Sequence, residues 1–70
     1  MYKINLHINT FEDDSTIETI FLPIIPRKGE YIYLYDQKDK LNYSYEVSFI
    51  CYNLDEKNVL ESVDVNIVSD

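Results

Sequence analysis

A proline-bracketed turn that runs into an alternating strand constrains this chain most. Leu22-Pro23-Ile24-Ile25-Pro26-Arg27-Lys28-Gly29-Glu30 holds both prolines and the only glycine, and Tyr31-Ile32-Tyr33-Leu34-Tyr35 follows with strict period two. Each proline fixes its own φ and holds the preceding residue extended, so no helix runs through the segment. Gly29 supplies the positive φ that a tight turn requires. Alternation after it sends Ile32 and Leu34 to one face of a strand and the three tyrosines to the other. A rigid, polar turn feeding such a strand is the entry to a small antiparallel barrel or a curled sheet.

The remaining sequence supports the same architecture. Tyr2, Ile4, Leu6 and Ile8 alternate with Lys3, Asn5, His7 and Asn9, which is a half-buried strand continuing to Phe11, with Glu12 to Ser15 as its turn. Residues 16 to 22 have capping-box spacing at Ser15 and Glu18, but six of the seven are β-branched or bulky apolar and Pro23 stops the run. They are expected to form a second strand, apolar on both faces and therefore central or bulged. Asp36 to Lys40 reads as a hairpin loop. Leu41 to Leu54 reads as a long strand with Tyr43, Tyr45, Val47, Phe49 and Cys51 inward, bending where Ile50 and Tyr52 make the other face apolar too. Asp55-Glu56-Lys57-Asn58 is a turn in which Asn58 takes the left-handed conformation. The last strand puts Val59, Val63, Val65 and Ile67 on one face, interrupted by Glu61. The expected fold is all-β: one domain over residues 1–70, a small five-stranded SH3-like barrel or strongly curled antiparallel sheet.

The motif residues also carry a resemblance. Leu22-Pro23-Ile24-Ile25-Pro26-Arg27-Lys28-Gly29-Glu30-Tyr31-Ile32 resembles an LPxxPRxGDxI signature of small bacterial and phage-type proteins, and Tyr45-Glu46-Val47 is similar to their YxV element. The resemblance spans most of the chain and implies a compact SH3-like barrel. Glu30 stands where the signature has Asp. No activity is implied, and barrels of this kind host unrelated roles.

Composition narrows the function classes. Thirteen acidic residues against six basic ones give a formal charge of −7, which repels phosphate backbones and anionic membranes. Direct binding to nucleic acid or to a membrane is not expected. Cys51 is the only cysteine, so no intrachain disulfide can form, and a reducing cytoplasm is the expected compartment. The longest apolar run, Ile20 to Pro26, is broken by two prolines and cannot be a membrane helix.

Catalysis finds little to work with. His7, the only histidine, points outward, and Cys51 is expected inward as a small core hydrophobe, so the two cannot form a dyad. A metal site would need His7 with Asp13 and Asp14, which lack the number and spacing of ligands that such a site requires. One glycine cannot line a phosphate loop. No catalytic residue, metal or cofactor is expected.

The tyrosines form the distinctive surface. With Ile32 and Leu34 inward, Tyr31, Tyr33 and Tyr35 make an outward stripe flanked by Glu30 and Asp36. Tyrosine buries area at low entropic cost while keeping its hydroxyl wet, so these five residues are the expected contacts for a protein or peptide partner, basic or proline-rich. The alternative packing has some of these rings covering a minor core or pairing across strands with Tyr43 or Tyr52. Self-association into a homodimer would also cover the stripe. A reading from another class is an acidic inhibitor that mimics nucleic acid, which would show rows of carboxylates at phosphate spacing on one face.

Overall fold

The computed structural model describes residues 1–9 and 16–69. Five strands follow one another: β1 (Tyr2–Asn9), β2 (Thr16–Leu22), β3 (Tyr31–Asp36), β4 (Leu41–Leu54) and β5 (Leu60–Ser69). They form one mixed sheet in the order β2-β1-β5-β4-β3, curled into a half-barrel, and no described residue is helical. The extension of β1 to Phe11 and the turn at 12–15 lie outside the described residues.

Two local units build the sheet. β1 and β2 form an antiparallel pair, and β3, β4 and β5 form an antiparallel meander. The units join where β1 lies parallel to β5, with Ile4 beside Val63, Leu6 beside Val65 and Ile8 beside Ile67. Alternating patterns reveal which residues face inward but not which strands are neighbours, so this parallel seam has no signature in the sequence. The core grows around it: Ile4, Leu6, Val47, Val63, Val65 and Ile67 are fully buried. Ile8, Ile20, Leu22, Ile25, Ile32, Leu34, Tyr45 and Ile50 pack against that cluster on the concave side.

The proline segment covers this core. It leaves β2 at Leu22, beside Tyr2, and reaches β3 at Tyr31, beside Glu46 and diagonally across the sheet. That path crosses the concave face, where Ile25 packs on the core and Pro26 is buried. The crossing ends in a turn closed by a Glu30 N–H to Arg27 carbonyl bond of 3.0 Å, with Gly29 at φ +89°. Positive φ at the third position is the mark of a type II turn. Gly29 and Glu30 then oppose the single residue Val47: the Gly29 N–H donates to the Val47 carbonyl at 2.9 Å and the Val47 N–H to the Glu30 carbonyl at 2.8 Å. This two-against-one pattern is a glycine bulge. The resemblance motif therefore encodes a lid and its hinge into β3.

Both described hairpin turns rest on an aspartate. The Asp36 carboxylate accepts the Lys38 and Asp39 N–H groups at 2.7 and 3.2 Å. Asp55 accepts those of Lys57 and Val59 at 2.8 and 3.0 Å, while Asn58 adopts φ 63° as its type allows. Lys40 also takes a positive φ, 55°, which its side chain gave no reason to expect.

Two expectations are corrected. β2 is neither central nor bulged: it is an edge strand, with Ile17 and Phe21 each 60% exposed on the convex side. Its two apolar faces reflect an unpaired edge rather than burial on both sides. In β4 the register slips between Val47 and Phe49, so Ser48 is accommodated as a bulge and the alternation reverses beyond it. Ile50 takes the inward side, while Phe49 and Cys51 turn outward and are exposed. The expected core cysteine is thus a surface thiol. A second slip between Asn53 and Leu54 accompanies the exposure of Val59.

Two substitutions separate core from backbone effects. A domain of this size has a stability of ~4–10 kcal/mol, and Leu6→Ala should remove ~2–5 kcal/mol of it. A Cβ at Gly29 meets no atom within 4 Å. Gly29→Ala should therefore cost only its backbone strain, ~1–2 kcal/mol, and Gly29→Asn less. Urea unfolding of the three variants checks the order.

Candidate functional site

The three stripe tyrosines sit where the sheet narrows. β5 ends its pairing with β4 at Tyr45, opposite Ser69, whereas β3 pairs with β4 as far as Asp36 opposite Leu41. Among the described residues, Tyr33 to Asp36 and Leu41 to Ser44 thus form a two-stranded ribbon projecting past β5, in a molecule measuring 42 × 20 × 19 Å. Tyr33, opposite Ser44, and Tyr35, opposite Asn42, lie on its convex side and are 70% and 55% exposed. Tyr31 sits at the base of the ribbon, 51% exposed, with its hydroxyl 3.5 Å from Glu46 Oε1. Ile32 and Leu34 turn inward, half-buried.

The flanking acids are occupied locally. Glu30 Oε1 accepts the Arg27 N–H at 2.6 Å, and its other oxygen lies 3.8 Å from the Arg27 guanidinium. Asp36 caps the β3–β4 turn. Both carboxylates thus hold the loops that border the stripe, a role expected of glycine and proline alone. On the ribbon's concave side, the Tyr43 hydroxyl donates to Asp39. That bond and the nearby negative charge push the phenol above its ordinary range, because ionisation would set one anion against another.

A polar ladder crosses the convex face beside the aromatics. Thr19 donates to Asn5 at 3.0 Å, Asn5 to Asp64 at 3.1 Å and Asn53 to the Ser62 hydroxyl at 3.1 Å. Asn9 donates to the Asn66 side-chain carbonyl at 2.6 Å, and the Asn66 amide to the Ser48 hydroxyl at 2.5 Å. Parity marked most of these positions as outward, but their mutual pairing depends on strand order and on the bulge.

His7 and Cys51, expected on opposite faces, share this one. His7 Nε2 is shut off from solvent 3.4 Å from Asp64 Oδ1, without the alignment of a hydrogen bond. Cys51 lies across from Asp64 on the neighbouring strand. Asp64, on β5, thus lies between the strand that carries His7 and the strand that carries Cys51. No described group of three His, Cys, Asp or Glu side chains could hold a metal ion. Asp13 and Asp14 lie outside the described residues. No described helix is long and apolar enough to cross a membrane.

No family model, curated protein or solved structure matches the chain. The likeness to the LPxxPRxGDxI signature thus rests on its motif residues alone.

Asp64 provides a pH test of the ladder. Hydrogen bonding from Asn53 lowers its carboxyl below the ordinary 3.8, partial burial opposes this, and Asn5 and His7 add to the lowering. A carboxylate lowered by folding stabilises the fold fully above its unfolded value and loses that contribution as pH falls through the folded value. Stability should therefore decline on acidification below about pH 4. Asp64→Asn should be less stable at neutral pH and flatten the decline, as urea unfolding across that range would show.

Proposed function

We propose that this protein is a small non-catalytic interaction module of the cytoplasm. It docks a protein or peptide partner, basic or proline-rich, on the tyrosine face of β3. The observation that carries this reading is the exposure of Tyr33 and Tyr35 on a projecting two-stranded ribbon. A pair of strands without further packing is marginal in water. Rings that face solvent there spend little stability on the domain and are free to bury area against a partner. The net charge of −7 favours a basic partner over an acidic one and steers its approach. Glu30 and Asp36 border the stripe, and Glu46 adds a carboxylate beside Tyr31.

The nucleic-acid-mimic alternative gains no support from the described carboxylates. Glu46 and Asp64 lie on the convex face, Glu18 on the concave one, Glu30 in the turn before β3, Glu61 near the start of β5, and Asp36, Asp39, Asp55 and Glu56 in or beside the hairpin turns. They make no row on a single face.

The test replaces Tyr31, Tyr33 and Tyr35 together by serine. Affinity capture from the native host, read by mass spectrometry, should lose its specific partner while the circular dichroism spectrum stays that of the parent. Capture unchanged by the substitutions would remove the proposal.

A further inference from the structure

The lid formed by the proline segment leaves one end of the concave face open. Above Ile8, where the β3–β4 ribbon projects, a cavity of about 300 Å³ lies between the two edge strands. Ile8, Leu34, Tyr43 and Tyr45 contribute to its walls, and Glu18 of β2 and Asp36 of β3 supply carboxylates. Its size is at the lower limit of sites that take small molecules, ~300–1,000 Å³, so it suits one long side chain rather than a cofactor. Phenol rings with carboxylates complement a cation with an aliphatic stem: the stem lies on the rings, and the charge meets both their π-faces and the acids.

The strand beside this cavity is ready to pair. The Glu30 carbonyl accepts the Val47 N–H, so alternation makes Ile32 and Leu34 the residues hydrogen-bonded to β4. The N–H and C=O groups of Tyr33 and Tyr35 then point to the outer edge of β3, where no described strand pairs. Lysine, proline and internal bulges, the usual guards of an exposed edge, are absent from Tyr31–Asp36.

We propose that this cavity is a binding site for an arginine or lysine side chain, presented by an extended segment of another protein that adds as a strand to the outer edge of β3. Charge complementarity selects the occupant. A second copy of this chain would bring its own charge of −7 to a mouth already lined by carboxylates. In an added strand, alternate side chains would enter the cavity and their neighbours would lie over Tyr33 and Tyr35. The site rests on the interaction-module reading and deepens it: it shares Tyr35 and Asp36 with the stripe and adds Glu18, Tyr43 and Tyr45, so Glu18→Gln tests the cavity apart from the tyrosine substitutions.

The probe is a fluorescein-labelled peptide, Thr-Val-Thr-Arg-Thr-Val-Thr, titrated by anisotropy against the whole chain. Three companions accompany it: one with citrulline for arginine, one with glutamate, and one with alternate backbone amides N-methylated. The arginine peptide should bind, the citrulline peptide about tenfold more weakly, and the glutamate and N-methylated peptides not measurably. Glu18→Gln, which removes charge without changing shape, should weaken the arginine peptide about threefold to fivefold and leave the citrulline peptide unaffected. Tyr33→Ser should weaken arginine and citrulline peptides alike, preserving their ratio. Equal affinity for arginine and citrulline would overturn the cavity assignment, and unimpaired binding of the N-methylated peptide would overturn strand addition. No binding of the arginine peptide at about 1 mM to protein with a native circular dichroism spectrum would overturn both.

Discussion

The seam between β1 and β5 holds this molecule together. The two-stranded β1–β2 pair is marginal by itself in water, and it joins the three-stranded meander into one sheet only along this seam. The seam is stitched on both faces of the sheet. On the concave side Ile4, Leu6 and Ile8 interlock with Val63, Val65 and Ile67. On the convex side Asn5 reaches Asp64 and Asn9 reaches Asn66. Apolar burial there supplies the driving force, while the amides and the carboxylate fix the register. A slip by one residue would exchange the two sets and place asparagines in the core.

Much of this fold was legible in the residues because local chemistry dictated it. Period-two alternation located the strands, the prolines located the break, and Gly29 and Asn58 have the positive φ values that their types permit. Sidedness at β3 was equally readable: five alternating residues leave one way to bury Ile32 and Leu34. Long-range relations were not readable. The edge position of β2 depends on which strand β1 prefers as its second neighbour, and β2 itself carries no information about that choice. Polarity also failed to mark the bulge at Ser48, since a serine suits an outward position of a regular strand as well as a bulge. One inserted residue then reversed everything after it, exposing Phe49 and Cys51.

The candidate surfaces show the same division. The tyrosine stripe is a property of one strand and was visible as such. The acids at its ends were visible too, but their occupation by turn N–H groups and by Arg27 required coordinates. The polar ladder, with its His7–Asp64 contact, draws on β1, β4 and β5 and needed strand order and bulge together. The cavity beside Glu18 needed the curl of the whole sheet, which brings a β2 residue to the ribbon formed by β3 and β4.

The central pairing of the first and last strands has a consequence for how the chain reaches this state. Asn5 and Asp64 are 59 positions apart. Closing so long a loop must precede any reward from the contacts it brings, and proteins dominated by such distant pairings fold slowly. On a ribosome, the β1–β2 pair would emerge early and wait with both of its edges bare until β5 arrived. Synthesis would thus pass through an interval with open apolar edges, during which capture by a chaperone or pairing with a neighbouring nascent chain competes with self-completion.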